Sequence, residues 1–257
     1  MTRSIETTTR WSKAQAYEVA WWQERIDEIN LDYLKEYAKR VAENLHGILD
    51  IRNDTKILEI GSGSAGILTF LKSDYRCALE PLESFFADIE KFSRFRDKQV
   101  KYFEGKAEKL PFKNGEFDLI IIDNVLDHCE DISKVFSEMR RVLAANGIIY
   151  MRLNVYHAWG KIVRQLSEFF QFDKGHPHTF TNVDLKRIFD QNDFSIIREI
   201  RKGVLSIWIK QLTAFKVKDF LKAVSFSTPD TIVHVISKST ATLEKQNNRS
   251  QQRSSNK

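Results

Sequence analysis

Hydrophobic positions recur along this chain in two rhythms. Between Trp11 and Leu49 they return every third or fourth residue, with Val19, Trp22, Ile26, Ile29 and Tyr33 on one stripe. That spacing predicts one or two amphipathic helices. After a break at Asn53-Asp54 the apolar residues fall into short continuous runs: Lys56 to Ile60 (KILEI), Tyr75 to Glu80, Val100 to Gly105, Phe117 to Asp123 and Gly147 to Leu153. Runs without alternation read as strands covered on both faces. Between them Leu68 to Lys72, Ser84 to Phe92 and Ile132 to Leu143 read as helices, the last with Asn146-Gly147 as its stop signal. Strand and helix taking turns predicts an α/β fold, doubly wound around a mostly parallel sheet.

Beyond Leu153 the rhythm loosens. A helical insert spans His157 to Phe170, the loop DKGHPHTF follows, and a helix runs from Asn182 to Gln191. FSIIREI reads as a sixth strand, Ser206 to Val224 as a basic, aromatic-rich helical stretch, and TIVHVIS as the last strand. No repeat and no Pro/Gly-rich linker divides the chain.

Composition narrows the possibilities. No window of about 18 uncharged apolar residues predicts a membrane-spanning helix, and the opening MTRSIETTTRW lacks the apolar core of a secretory signal. Cys77 and Cys129 give neither a disulfide framework nor a CxxC metal spacing, so both are expected to be reduced and structural, and the location cytoplasmic. The net charge of +5 is unevenly spread: residues 1–151 are net −4, residues 152–240 net +6, and the polar tail from 241 to 257, expected to be disordered, net +3. With part of the basic excess in that tail and no compact Lys/Arg stripe, nucleic acid is not an expected partner.

The candidate chemistry begins at ILEIGSGSAGI (Ile57 to Ile67). A strand enters Gly61-Ser62-Gly63, and a helix is expected from Ser64. Glycines let the backbone turn sharply and approach a ligand closely, and a helix start offers free amides. Glu80 closes the second strand, where this fold places a carboxylate against ribose hydroxyls. An adenosine-type ligand follows. Gly61, Gly63 and Gly66 also satisfy the dinucleotide pattern GxGxxG, so a nicotinamide oxidoreductase stays open at this point.

Further motifs resemble the class I S-adenosylmethionine-dependent methyltransferases, especially the type 11 small-molecule group. Glu59, Gly61 and Gly63 match the family's E/D-x-G-x-G-x-G, with Ala65 at the third glycine. LEPLESF, GKAEKLPF, FDLIIIDNVLDHCED and EMRRVLAANGIIYMR follow in the family's order, with Lys106 where an acid is usual. The resemblance is strong from Lys56 to Leu153. It implies a seven-stranded Rossmann-like sheet whose last strand is antiparallel, and S-adenosyl-L-methionine as cofactor. Glu59 would orient the loop and the methionine amino group, and Gly61, Ser62 and Gly63 would meet the methionine end. Glu80 would hold the ribose, Pro81 and Leu82 the adenine face, Ala107 and Glu108 the pocket edge, and Asp123 and Asn124 would close over the methionine. The implied organisation is a helical cap (1–50), a cofactor-binding core (51–155) and the rest of the same domain with substrate-side helical inserts (156–240). Lys106 keeps a second, non-catalytic reading alive, a cofactor-binding protein without turnover.

A sulfonium is already activated, so the protein needs mainly to align the acceptor and exclude water. A base is required only for an acceptor that must lose a proton, and no metal ligand set is expected. His128, His176 and His178 are the candidates, with Asp127 and His157 behind them. Trp11, Trp21, Trp22, Tyr33 and Tyr37 read as core packing that is compatible with a lid. The stretch with Trp208, Phe215, Phe220 and Phe226 among Lys210, Lys216, Lys218 and Lys222 fits a helix packed on the sheet, a substrate cover or a peripheral membrane contact. The expected acceptor is a small molecule, lipid or glycan methylated at oxygen, and the charge of residues 152–240 points to one that is anionic or lipid-linked.

Overall fold

β1 (Lys56–Ile60) lies inside a seven-stranded sheet. β2 (Tyr75–Glu80) and β3 (Lys101–Glu104) add in parallel on one side, β4 (Phe117–Asp123) and β5 (Leu143–Val155) on the other. β7 (Asp230–Lys238) runs antiparallel between β5 and β6 (Phe194–Arg201), giving the order β3-β2-β1-β4-β5-β7-β6. This is the mostly parallel, doubly wound α/β sheet with an antiparallel last strand that the sequence predicts. The computed structural model describes residues 10–26, 29–169, 178–213, 224 and 227–239. The tail, His176 and residues 214–223 of the basic stretch lie outside them.

Successive strand residues point to opposite faces, and the apolar runs therefore build two cores. Ile57, Ala78, Leu119, Ile121 and Tyr150 face α2 (Leu31–Leu45), which buries Tyr37, Ala38, Val41 and Leu45 against them. Leu58, Leu79, Ile120, Ile122 and Met151 face α5 (Ile132–Val142) and α7 (Asn182–Gln191) through Phe136, Met139, Leu185 and Phe189. Each fully buried Leu, Ile or Phe contributes about 1.5–3 kcal/mol of transfer free energy, so this double cover secures the strands. Cys77 and Cys129 are free thiols buried in the second core.

The helices start where side chains can satisfy their first amides. Asn30 accepts from the Tyr33 amide at 2.9 Å, and Asp131 from that of Lys134 at 3.1 Å. Thr181 and Asp184 form a reciprocal capping box. At the other end of α2, the Arg198 guanidinium on β6 donates to the Asn44 and His46 carbonyls.

Three local expectations are corrected. No α-helix begins at Ser64: residues 61–74 hold only a 3₁₀ turn at Leu68–Phe70. Buried Arg76 on β2 is the reason, since its Nη1 takes the Leu68 and Leu71 carbonyls at 2.7 and 3.1 Å. The helix expected over Ser84 to Phe92 is broken into α3 (Glu83–Asp88) and α4 (Glu90–Ser93) by Ile89 in extended conformation. α5 ends at Val142, a residue from the expected end, but Asn146-Gly147 is not its stop: β5 already begins at Leu143, which pairs with Phe117, and the strand irregularity between Phe117 and Leu119 absorbs the residues before Ile148.

β6 lies parallel to β5 across β7, so Arg201 and Leu153 sit at the same end of the sheet as Ile60, Glu80 and Asp123. α6 (Ala158–Phe169) and α8 (Val204–Leu212) leave from that end. α1 (Arg10–Glu24) returns over it from the amino-terminal side.

Candidate active site

A cavity of about 420 Å³ opens beyond the carboxyl ends of β1, β2 and β4, where the chain order of the sheet reverses direction. Ligands of open α/β sheets bind at such switch points. Gly61 to Gly66 form the floor, Glu80 and Pro81 one wall, and Asp123, Asn124, Val125 and His128 the other. A slot of about 40 Å³ continues from it between Pro81 and the segment from Gly105 to Glu108.

The floor depends on glycine for its backbone, not for its amides. Gly61, Gly63 and Gly66 hold φ of +71, +58 and +64°, a region costly for residues with a Cβ. The Gly61 amide donates to the Leu79 carbonyl at 2.8 Å and the Gly63 amide to Glu80 Oε2 at 2.9 Å. A Cβ at position 61 would run into the Val125 side chain, and one at position 66 would lie 2.5 Å from Glu59 Oε2. Glu59 is 5% exposed and does not line the cavity; both its oxygens accept from the Ile67 amide, at 3.2 and 3.1 Å. Burial pushes its carboxyl up to about 8 against the pull of the Ile67 and Leu68 amides.

Glu80 faces the cavity and is 8% exposed. Its Oε2 takes the Gly63 amide and its Oε1 the Leu82 amide, at 3.1 Å. Each carboxylate oxygen has a second lone pair, so the group is fixed by the backbone and keeps acceptor capacity for a ligand. Burial pushes it up to about 7, opposed by the same two amides. Leu82 itself lines neither space.

Asp123 is backed by a cation that sequence reasoning missed. Arg152 on β5 donates from Nε to Asp123 Oδ1 at 2.5 Å, and from Nη1 to the Tyr33 hydroxyl at 3.1 Å. Its guanidinium lies 4.2 Å from the Tyr37 ring centroid. Burial alone would favour neutral Arg152, but the adjacent Asp123 more than offsets this and keeps it protonated. Asn124, with φ of +50°, donates to Asp123 at 3.0 Å and accepts the Asn154 amide at 3.0 Å.

The roof comes from α1, the turn after it and the start of α2: Gln15, Glu18, Trp21, Trp22, Arg25 and Tyr33. Trp22 packs edge-on against Phe86 and Phe92, with centroids at 5.3 and 5.8 Å, and lies over Gly63. Trp21 carries Arg25 on its ring at 4.5 Å. The adjacent Trp21-Trp22 pair was a usable signal, since neighbouring helical residues cannot both face one core.

The remaining sequence candidates fall as follows. Ala107 and Glu108 line the slot, and Glu108 also accepts the Glu130 amide at 2.7 Å. Lys106, also on the slot, reaches Glu130 at 3.3 Å. His128 lines both spaces, with its Nε2 4.0 Å from Asp127. His178 is outside the lining, but its amide donates to the Asp127 carbonyl at 3.3 Å. His157 accepts the Gly160 amide at 3.2 Å just before α6.

Among the described residues, three acidic side chains, Glu18, Glu80 and Asp123, line the cavity, with Arg25 also on the lining and Arg152 behind Asp123. Such a wall favours a cationic ligand over a pyrophosphate, and no α-helix follows the glycine turn to receive phosphate. Two buried polar atoms on the lining, Ser62 Oγ and Gln15 Oε1, have no hydrogen-bond partner among the described residues. A polar molecule with a diol at one end and positive charge further along fits these groups.

Comparison with known proteins agrees. A family model described as a methyltransferase domain matches residues 58–151. A glycine/sarcosine/dimethylglycine N-methyltransferase of Actinopolyspora halophila is 25% identical over 117 residues, 44% of this chain and 21% of that protein. Norajmaline N-methyltransferase of Rauvolfia serpentina is 31% identical over 93 residues, 34% and 32% of the two chains. The chain thus spans about a fifth to a third of the length of these relatives. Geranyl diphosphate C-methyltransferase of Streptomyces coelicolor A3(2), solved with Mg²⁺, geranyl diphosphate and S-adenosyl-L-homocysteine, superposes with a TM-score of 0.62. That match covers 84% of each chain at 14% identity, so the fold is what the two share. Residues 58–151 carry the match to a methyltransferase domain, and the fold around them is shared with solved methyltransferases.

Proposed function

We propose that this chain transfers the methyl group of S-adenosyl-L-methionine to the oxygen of a small-molecule, lipid or glycan acceptor in the cytoplasm. The observation that carries the reading is Glu80, fixed by two backbone amides beside a glycine floor in an acid-lined cavity. When bound, the cofactor supplies an activated methyl on a sulfonium, so the chain's own residues have to bind, orient and exclude water. Glu80 would take the ribose diol, Pro81 and Ala107 the adenine in the slot, and Gly61 to Gly63 would leave room for the methionyl end, with Ser62 Oγ as an added polar contact. Glu59 acts from behind by holding the turn. Asp123 and Asn124 form the wall near the reacting end, and the roof residues of α1 keep water out.

His128 is the proposed proton acceptor for the hydroxyl, because it is the histidine on the cavity lining among the described residues. His178 would act through the loop it ties to Asp127. The test is methyl transfer from radiolabelled cofactor into fractionated cell extract. A labelled lipid, glycan or small metabolite is expected. His128→Ala should lower turnover at least about tenfold while sparing cofactor affinity. Product labelled on protein or nucleic acid would contradict the acceptor class, and unchanged turnover in His128→Ala would remove its role.

A further inference from the structure

The carboxyl end of the sheet has a second feature besides the cavity. α6 and α8, which leave from that end, both present apolar side chains to solvent. Trp159 and Ile162 are 57% and 48% exposed, and Leu205 and Ile209 are 66% and 50% exposed. The two helices meet the same short segment before β7. Gly160 of α6 approaches Ser227, and Thr228 donates to Gln211 of α8 at 2.7 Å. Single exposed apolar residues are ordinary, whereas a group of this size on neighbouring helices marks an interaction surface.

Charge indicates what the surface meets. Exposed Lys202 stands just before α8, and residues 152–240, which supply both helices, are net +6 while residues 1–151 are net −4. A second copy packed on this face would bring like charges together; an anionic lipid surface would neutralise them. No helix among the described residues is long and apolar enough to cross a membrane, so the contact is a shallow one in the interfacial plane.

We propose that this end of the molecule rests on an anionic bilayer, with Trp159, Ile162, Leu205 and Ile209 entering the interface. Because the cavity opens at the same end, the methyl acceptor is then an amphiphile drawn from that surface, a clause that rests on the methyl-transfer reading.

The experiment is sedimentation of the full chain with phosphatidylcholine vesicles, with and without phosphatidylglycerol, alongside calorimetric titration with S-adenosylhomocysteine. The wild type should pellet with the anionic vesicles and stay in solution with the neutral ones, less so as salt screens the attraction. Leu205→Glu with Ile209→Glu should weaken vesicle binding at least about tenfold with cofactor affinity unchanged. Ile162→Ser serves the same purpose if the paired variant loses its helical circular dichroism. Wild type that stays in solution with anionic vesicles at low salt overturns the proposal. So does a wild-type dimer that the paired variant abolishes, because the face then belongs to a second copy. Vesicle binding without cofactor affinity would instead sink the methyl-transfer reading and leave the surface standing.

Discussion

Glu80 Oε2 accepts the Gly63 amide at 2.9 Å, so the acid that ends β2 and the glycine turn that follows β1 form one unit. Replacing Glu80 by Gln removes the charge and one acceptor oxygen. A hydrogen bond to a charged group contributes about 1.5–3 kcal/mol, so affinity for S-adenosylhomocysteine should fall roughly tenfold to a hundredfold. The carboxyl is held at about 7, and its ionised form is the better acceptor for a diol. Wild-type affinity should therefore weaken as pH drops below about 7, and the Gln variant should lack that slope. Calorimetric titration across pH checks both.

Glu59 gives the opposite dependence, in stability. Its folded value of about 8 stands above the unfolded 4.5. The stabilisation from the protonated, buried carboxyl is thus complete below about pH 4.5 and is lost as pH rises through about 8. Between about pH 5 and about pH 8 the ligand-free protein should lose Tm, and Glu59→Gln, which keeps an acceptor for the Ile67 amide, should lose less. A variant that melts with the wild-type slope would assign that slope elsewhere.

Gly61 and Val125 make a steric pair. Gly61→Ala should destabilise for two reasons, a φ of +71° and a collision with the Val125 side chain. Val125→Ala in the same chain should recover the collision part and leave about 1 kcal/mol for the backbone. Urea denaturation of the two singles and the double measures the coupling. Strictly additive losses would mean that the two side chains do not meet.

Much of this site is legible in the chain because its requirements are local. A glycine at positive φ, a strand of consecutive apolar residues and an acid at a strand end each show in a few neighbouring positions, so the floor and Glu80 could be read directly. The roof could not, since it depends on where α1 comes to rest, and periodicity on Trp22 and Tyr33 cannot separate a core stripe from a lid. Arg152 was silent for the same reason: its partners Asp123 and Tyr33 lie 29 and 119 residues away. ILTFLK has helical spacing, yet Arg76 from the next strand caps the Leu68 and Leu71 carbonyls and leaves a 3₁₀ turn. Here a tertiary contact overrode local propensity.

The Arg152–Asp123 pair should behave as a buried ion pair, with side chains 13% and 19% exposed. Arg152→Met leaves Asp123 without its counter-charge and should cost about 3–5 kcal/mol. Adding Asp123→Asn should recover a large part of that loss. Chemical denaturation of the singles and the double decides, and a double variant no better than Arg152→Met would mean the arginine matters for packing rather than charge.

The most direct test of the whole account is calorimetric titration of the purified chain with S-adenosylhomocysteine, run on the wild type and on Glu80→Ala. The account predicts one saturable site per chain in the wild type and a large loss of affinity in the variant. No binding by the wild type, or equal binding by both, would contradict it.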